Sequence, residues 1–405
     1  MKYEFFLHDS LALVPIRIRN FLNSCLISSD LKYACSWNYY TMKFMGIWPE
    51  ERKWNQPSNY LVLIPFFLML CFICVPQTSN LPRISNDLYL IVENLTMGNI
   101  TITISLVKMT IFWTNGKSLQ FLLRCMAQDW SDKMSVNERK TMRNVARITR
   151  VTIIKSTLMC IILVIIYSFL RFFTIKHSET RLLFSGYFPY DLDVSPSYEL
   201  TICGQLIGAF YAAVSYTAVD TFVAMLVFHV CGQLSILSED IRNLPSHGQT
   251  DIQVKLGRIT IYLLIICIFR RFVEKIENCF NVMLLLQMLG CTVQLCFQSF
   301  QVIVVGKTIS FLERNVFLRK TYIMLQLYLM QLFLQSTELA NAAYNCKWYN
   351  LSAKNAKLFV MIIQRARLPM RITAGKFCTL TLVLFSDILK RSMGYFSVLY
   401  ATKTN

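Results

Sequence analysis

Residues 60–76 read YLVLIPFFLMLCFICVP, seventeen residues without a single charge. The hydrocarbon core of a bilayer takes about 20 mostly apolar residues of helix. This run, with its immediate flank, is therefore expected to form a first span, S1, over about 60–77. Six more stretches fit the same rule. S2 covers about 87–114 and encloses Glu93 and Lys108. S3 covers 151–174, around STLMCIILVIIYSFL. S4 covers 199–229 and is interrupted by Asp220. S5, 278–306, has no charge at all. S6 covers 321–344 and S7 covers 375–402. The expected fold class is all-α: one polytopic membrane domain over residues 1–405, with seven transmembrane helices.

The bulk composition agrees. Of 405 residues, 55% are hydrophobic and 16% charged, and the mean hydropathy is +0.44, more apolar than a soluble domain. The N-terminal MKYEFFLHDSLALVPIRIRNF carries Glu4 and Asp9 and lacks the order of a signal peptide, so insertion is expected to rely on S1. ITIYLLIICIF, 259–269, is an eighth apolar run. It is half a span long and leads into Arg270 and Arg271, which favours a cytoplasmic helix continuous with S5.

The formal charge of +18 raises nucleic acid as a partner, but its distribution argues against that. Basic residues collect in alternate loops: Lys117 to Arg150 between S2 and S3, Arg242 to Lys275 between S4 and S5, and Lys347 to Arg371 between S6 and S7. The S1–S2 and S3–S4 loops are poorer, and S5–S6, with Lys307, Arg314, Arg319 and Lys320, is the weak point. The positive-inside rule then places the N-terminus in the cytoplasm and the C-terminus outside, opposite to a G-protein-coupled receptor.

Enzymatic motifs are missing. There is no phosphate-cradling Gly loop, no H-E-x-x-H and no G-x-S-x-G, so no catalytic residue is assigned. The four histidines are scattered, and C-x-x-C at 71–74 lies inside S1, where packing cysteines are expected. No metal and no cofactor are expected. Receptor, channel and transporter remain. The absence of any Asn-Pro disfavours a G-protein-type seventh helix, and seven unequal spans fit the repeated halves of a transporter poorly.

Several stretches together resemble the insect odorant receptor family. LPMRITAGKFCTLTLVLFSDILKRSMGYFSVL, 368–399, is similar to its C-terminal pattern in order and spacing. YFPYDLDVSPSYEL (187–200), LSILSEDIRNL (234–244), CTVQLCFQSFQ (291–301) and AAYNCKWYNL (342–351) resemble its segments around S4, the cytoplasmic helix, S5 and S6. One departure is IFRRFVEKIENCF, 268–280, where the family often has His-Gln before the acidic residues. The resemblance implies an odour-gated, non-selective cation channel in the plasma membrane of an olfactory neuron dendrite. It implies a tetramer formed with shared odorant co-receptor subunits, a cytoplasmic helical anchor region and S7 helices lining one pore. The S4–S5 loop lacks the long insertion of a co-receptor, so the chain resembles an odour-tuning subunit.

S7 carries charge where lipid would not tolerate it. On a helical wheel at about 100° per residue, Asp387, Lys390, Arg391, Gly394, Val398 and Ala401 share one stripe, and the opposite side is bulky and apolar. One reading is an intrahelical pairing of Asp387 with Lys390 and Arg391. The other is a stripe facing an aqueous pore. By resemblance, Val398 matches the family's hydrophobic gate, which closes by dewetting; the plain alternative is a packing valine.

The resemblance also implies a ligand pocket in the outer half of the bundle. Its candidates are Val92 and Leu95 on S2, and Ile166, Phe169 and Phe173 on S3. S4 adds Ile202, Gln205 and Phe210, and S6 adds Tyr322, Gln326 and Leu329. Such a pocket suits a small hydrophobic volatile. The competing class is a seven-helix receptor that signals through a cytoplasmic partner without conducting.

Overall fold

The structure is a computed structural model. It describes residues 29–50, 60–131, 135–175, 182–192, 194–243, 252–305, 332–346, 348–350 and 353–380, and residues 383, 384, 386, 387, 390, 391 and 394. Helix α1 spans Ser29–Phe44. Helix α2 spans Leu63–Asn80 and contains S1 from Leu63 on. Helix α3 runs from Leu88 to Thr114 and covers S2. The short α4, Gly116–Ser131, leads to α5, Val136–Ile175, which contains S3. Helix α6, Ser197–Asn243, contains S4, and α7, Ile252–Val305, contains S5 up to Val305. Residues 332–345 form α8, the described part of S6, and Ala353–Ala366 form α9. A two-stranded antiparallel hairpin, β1 (Thr373–Ala374) and β2 (Cys378–Thr379), precedes the helical residues of S7 from Val383 on.

Four of these helices are long and apolar enough to cross a membrane: Leu63–Asn80, Val136–Phe173, Ser197–Asn243 and Ile259–Phe297. The run at 259–269 is continuous with S5 in the 54-residue α7. At about 1.5 Å per residue that helix is roughly 80 Å long, far more than a bilayer core.

Local chemistry sets the starts of two of the helices. Asp87 caps S2, its Oδ1 accepting from the backbone N–H of Tyr89 at 2.8 Å. Ser135 and Glu138 form a reciprocal capping box at the start of α5: Glu138 Oε2 accepts from the Ser135 N–H at 2.8 Å, and Ser135 Oγ from the Glu138 N–H at 3.3 Å.

S4 is the centre of the bundle. Its most apolar window is 78% buried, against 17% for S3, so S4 is packed on all sides and S3 lies at the periphery. Gly204 and Gly208, one turn apart, let S1 approach S4 closely. A Cβ on Gly204 would lie 2.4 Å from the Phe72 ring, and one on Gly208 3.0 Å from Ile73. Both contacts fall in a π-helical turn of S1, Leu70–Cys74. S5 approaches S2 the same way, since a Cβ on Gly290 would meet Ile104 at 2.4 Å.

Below the bundle the connecting helices are tied by charge. Asp30 of α1 accepts from Arg143 at 2.9 Å and pairs with Arg139 at 3.2 Å. Arg242 pairs with Glu338, linking the end of α6 to α8. Arg270 donates to the carbonyls of Arg365 and Leu368, so a basic residue of α7 satisfies the C-terminal end of α9.

Candidate ligand pocket, pore stripe and buried polar seam

The expected pocket residues fall into distinct environments. Val92 is fully buried on S2, and Leu95 is half-buried in a second π-helical turn, Leu95–Asn99. Ile166, Phe169 and Phe173 form one stripe of S3 that the protomer leaves exposed, with the last two rings 4.7 Å apart. Ile202 is half-buried next to Gln205. Phe210, about 140° around S4 from Gln205, sits by Phe44 of α1 at 6.5 Å. The structure does not bring Phe210 together with Gln205. Tyr322, Gln326 and Leu329 lie outside the described residues.

Gln205 does something its sequence position did not announce. Its amide mimics a strand neighbour: Oε1 accepts from the Phe184 N–H at 3.1 Å, and Nε2 donates to the Phe184 carbonyl at 2.9 Å. Leu182, Leu183 and Phe184 are thereby folded into one end of the bundle, buried although they lie in a loop. The Phe184 ring lies 3.1 Å from where a Cβ on Gly98 would stand. Asn94 donates to the Ser185 carbonyl at 3.3 Å, and the Tyr187 N–H to that of Pro76 at 3.0 Å. The S3–S4 loop is a plug between S1, S2 and S4. Gln205→Leu would leave a buried N–H and C=O unpaired, a cost of about 2–6 kcal/mol at roughly 1–3 kcal/mol per group. The expected results are a lower melting midpoint in detergent and faster proteolysis within 182–192; unchanged values for both would remove the clamp.

In S7, Asp387 is half-buried, while Lys390, Arg391 and Gly394 are exposed on the single chain. A Cβ on Gly394 would meet nothing within 4 Å. Among the described residues, Asp387, Lys390 and Arg391 form no ion pair with one another. Val398 and Ala401 lie outside the described residues.

A third feature crosses the middle of the bundle. Lys108 of S2 and Asp220 of S4 form an ion pair of 2.7 Å, their side chains 0% and 5% exposed. Both carboxylate oxygens accept a hydrogen bond. The Lys108 ammonium also reaches the Tyr216 carbonyl at 3.5 Å and lies 3.3 Å from the centroid of the Tyr216 ring. The second oxygen of Asp220 accepts from Gln287 Nε2 of S5 at 3.0 Å. One turn toward the N-terminal end of S2, Ser105 and Ser215 are in hydrogen-bond contact, and beyond them Gln294 donates to Thr101 at 2.7 Å. Taking two charges out of water costs several kcal/mol per ion, and only close pairing with further hydrogen bonds offsets it. The sequence displayed Lys108 and Asp220 as charges inside spans; it did not display that they meet. Among the described residues, no group of His, Cys, Asp and Glu could hold a metal ion.

Comparison with known proteins places this architecture. The family model described as 7tm Odorant receptor matches residues 87–393. The chain is 27% identical to Odorant receptor 13a of Drosophila melanogaster over 234 residues, 52% of this chain and 55% of that protein. It is 31% identical to the Odorant receptor coreceptor of Aedes aegypti over 139 residues, 33% of this chain and 29% of that one. These alignments span about half or less of the relatives' length. In fold, the chain is similar to the olfactory receptor OR5 of Machilis hrabei, solved in complex with eugenol. That match has a TM-score of 0.72 at 17% identity and covers 92% of this chain and 100% of that one. The short S4–S5 connection, eight residues between Asn243 and Ile252, fits a subunit without the co-receptor insertion. With the family model matching from the start of S2 into S7, about three quarters of its length, the chain belongs to the 7tm odorant receptor family, a family of receptors rather than enzymes.

Proposed function

We propose that the chain is an odour-tuning subunit of an odorant-gated, non-selective cation channel. It assembles with shared co-receptor subunits into a tetramer whose S7 helices line the pore. It crosses the plasma membrane seven times, with its N-terminus inside and its C-terminus outside. The observation that carries the pore assignment is the S7 stripe. Lys390, Arg391 and Gly394 are uncovered in the single chain, and charges on a membrane helix require water or a partner. Four copies meeting on that stripe provide both. Relatives named co-receptor support the heteromeric assembly, and the eugenol complex of OR5 supports a small volatile ligand. Binding opens the pore by population shift: the ligand must bind the open arrangement better than the closed one.

The test is patch recording from cells that express this chain alone, a co-receptor alone, or both, exposed to a panel of volatiles. The expected result is a current that needs both chains, follows the volatile without delay and persists when diffusible messengers are dialysed away. A C-terminal tag should be cleavable by external protease. A cytoplasmic tag, or no current under verified surface expression, would favour a receptor that signals through a cytoplasmic partner.

A further inference from the structure

We propose that Gln287 is a positioning residue for gating: it ties the buried Lys108–Asp220 pair of S2 and S4 to S5, and S5 carries that tie to the root of S7. Three observations join at this point. First, Gln287 is the S5 residue that hydrogen-bonds the ion pair, through Nε2 to Asp220 Oδ2 at 3.0 Å. Among the described residues, its own Oε1 is buried with no direct hydrogen-bond partner. A residue needed only for packing at this site would be apolar, because a buried acceptor without a partner is costly.

Second, the same helix grips the hairpin that precedes S7. Thr373 Oγ1 donates to Glu277 Oε1, and the Gly375 N–H donates to the Asn281 carbonyl at 2.9 Å. Leu285 lies 2.8 Å from where a Cβ on Gly375 would stand, so the hairpin is seated directly against S5. Gly375 and Lys376 both have positive φ, 63° and 66°, which fixes a tight turn. Third, the distances are short. Gln287 is six residues from Asn281 and ten from Glu277, about 9 and 15 Å along one uninterrupted helix. A rigid element therefore joins the helices expected to hold the ligand to the start of the pore helix. A shift of S4 against S2 that strains the ion pair is carried by S5 to the hairpin that precedes the helical residues of S7.

The inference rests on the channel reading only for its consequence; its test needs no current. Cys378 on β2 is half-buried beside the hairpin turn, and Cys346 is buried below α8, where burial pushes its thiol up to about 11. The full chain, expressed with a co-receptor in cell membranes, is treated with N-ethylmaleimide, and each cysteine is followed by peptide mass spectrometry. The rate at Cys378 is divided by that at Cys346, which cancels general loosening. Gln287→Leu is expected to raise this ratio by about fivefold, the low end of a typical coupling. Thr373→Val, which cuts the tie at the hairpin end, is expected to raise it similarly. The double variant is expected to exceed neither, because both break one path. Gln287→Met serves in place of leucine if the latter lowers the yield of folded protein.

An unchanged ratio in the Gln287 variant, or effects of the two variants that multiply, would overturn the proposal. Should the wild-type pair pass no current, the channel reading fails while the alkylation ratios still decide this one.

Discussion

Lys108→Met alone is expected to leave little folded protein at the cell surface, and Lys108→Met combined with Asp220→Leu is expected to restore most of it. The argument is electrostatic. In the wild type, each charge is buried but paired at 2.7 Å, and Asp220 has a second donor in Gln287. Removing the lysine leaves a carboxylate enclosed by S2, S4 and S5, a loss of about 3–5 kcal/mol for a broken buried pair. Domain stabilities are about 5–15 kcal/mol, so the single change consumes much of the margin. Removing both charges removes the desolvation cost together with the attraction, and apolar replacement of a buried pair is often neutral or stabilising. The double variant leaves Gln287 Nε2 without its acceptor, about 1–3 kcal/mol, so full recovery is expected only when Gln287→Leu is added. Surface labelling and size-exclusion profiles of the detergent-extracted protein measure the series. Wild-type levels of the Lys108→Met single variant would show that the pair does not carry this load.

The same pair shows what the sequence could and could not convey. A charge within an apolar run is visible in one dimension, so Lys108 and Asp220 stood out. Which helix faces meet is a property of packing, and 112 positions separate the two residues. The 259–269 run shows the converse. It is half a span long, yet α7 has no proline between Ile252 and Val305 to break the helix, and the chain continues without interruption. Gln205 was legible as a polar residue in the N-terminal half of S4. Its partner is the backbone of Phe184, and a backbone partner leaves no trace in side-chain identity. The π-helical turns Leu70–Cys74 and Leu95–Asn99 were also silent, since inserting one residue into a turn shifts the helical face without changing composition. Repetition of type was what the sequence conveyed well: apolar length marked the helices Leu63–Asn80, Val136–Phe173, Ser197–Asn243 and Ile259–Phe297.

The one-sided distribution of S7 carries the second large effect. Val398→Gln is expected to give a constitutive leak, raising the ligand-free current of the surface-expressed heteromer by roughly tenfold or more. Val398 lies on the wheel stripe of Asp387, Lys390, Arg391, Gly394 and Ala401, whose described members Lys390, Arg391 and Gly394 are exposed on the single chain. An apolar ring closes a pore because water leaves a narrow apolar neck, and an ion cannot cross without its hydration shell. At the proposed gate, glutamine returns hydrogen-bonding groups to that neck and removes the drive to empty it. Each valine side chain kept from water is worth about 1.5–3 kcal/mol. A ratio of conducting to closed states changes tenfold for about 1.4 kcal/mol, so one substituted subunit type suffices. Val398→Ile keeps an apolar ring and is expected to stay closed without ligand, which separates wetting from a change of size. Gly394→Val, one turn before it, narrows the same stripe and is expected to reduce evoked current instead. Single-channel recording distinguishes the three. If Val398→Gln left leak, conductance and ion selectivity all at wild-type values, Val398 would be a packing residue, and the constriction would have to be sought elsewhere on the S7 stripe.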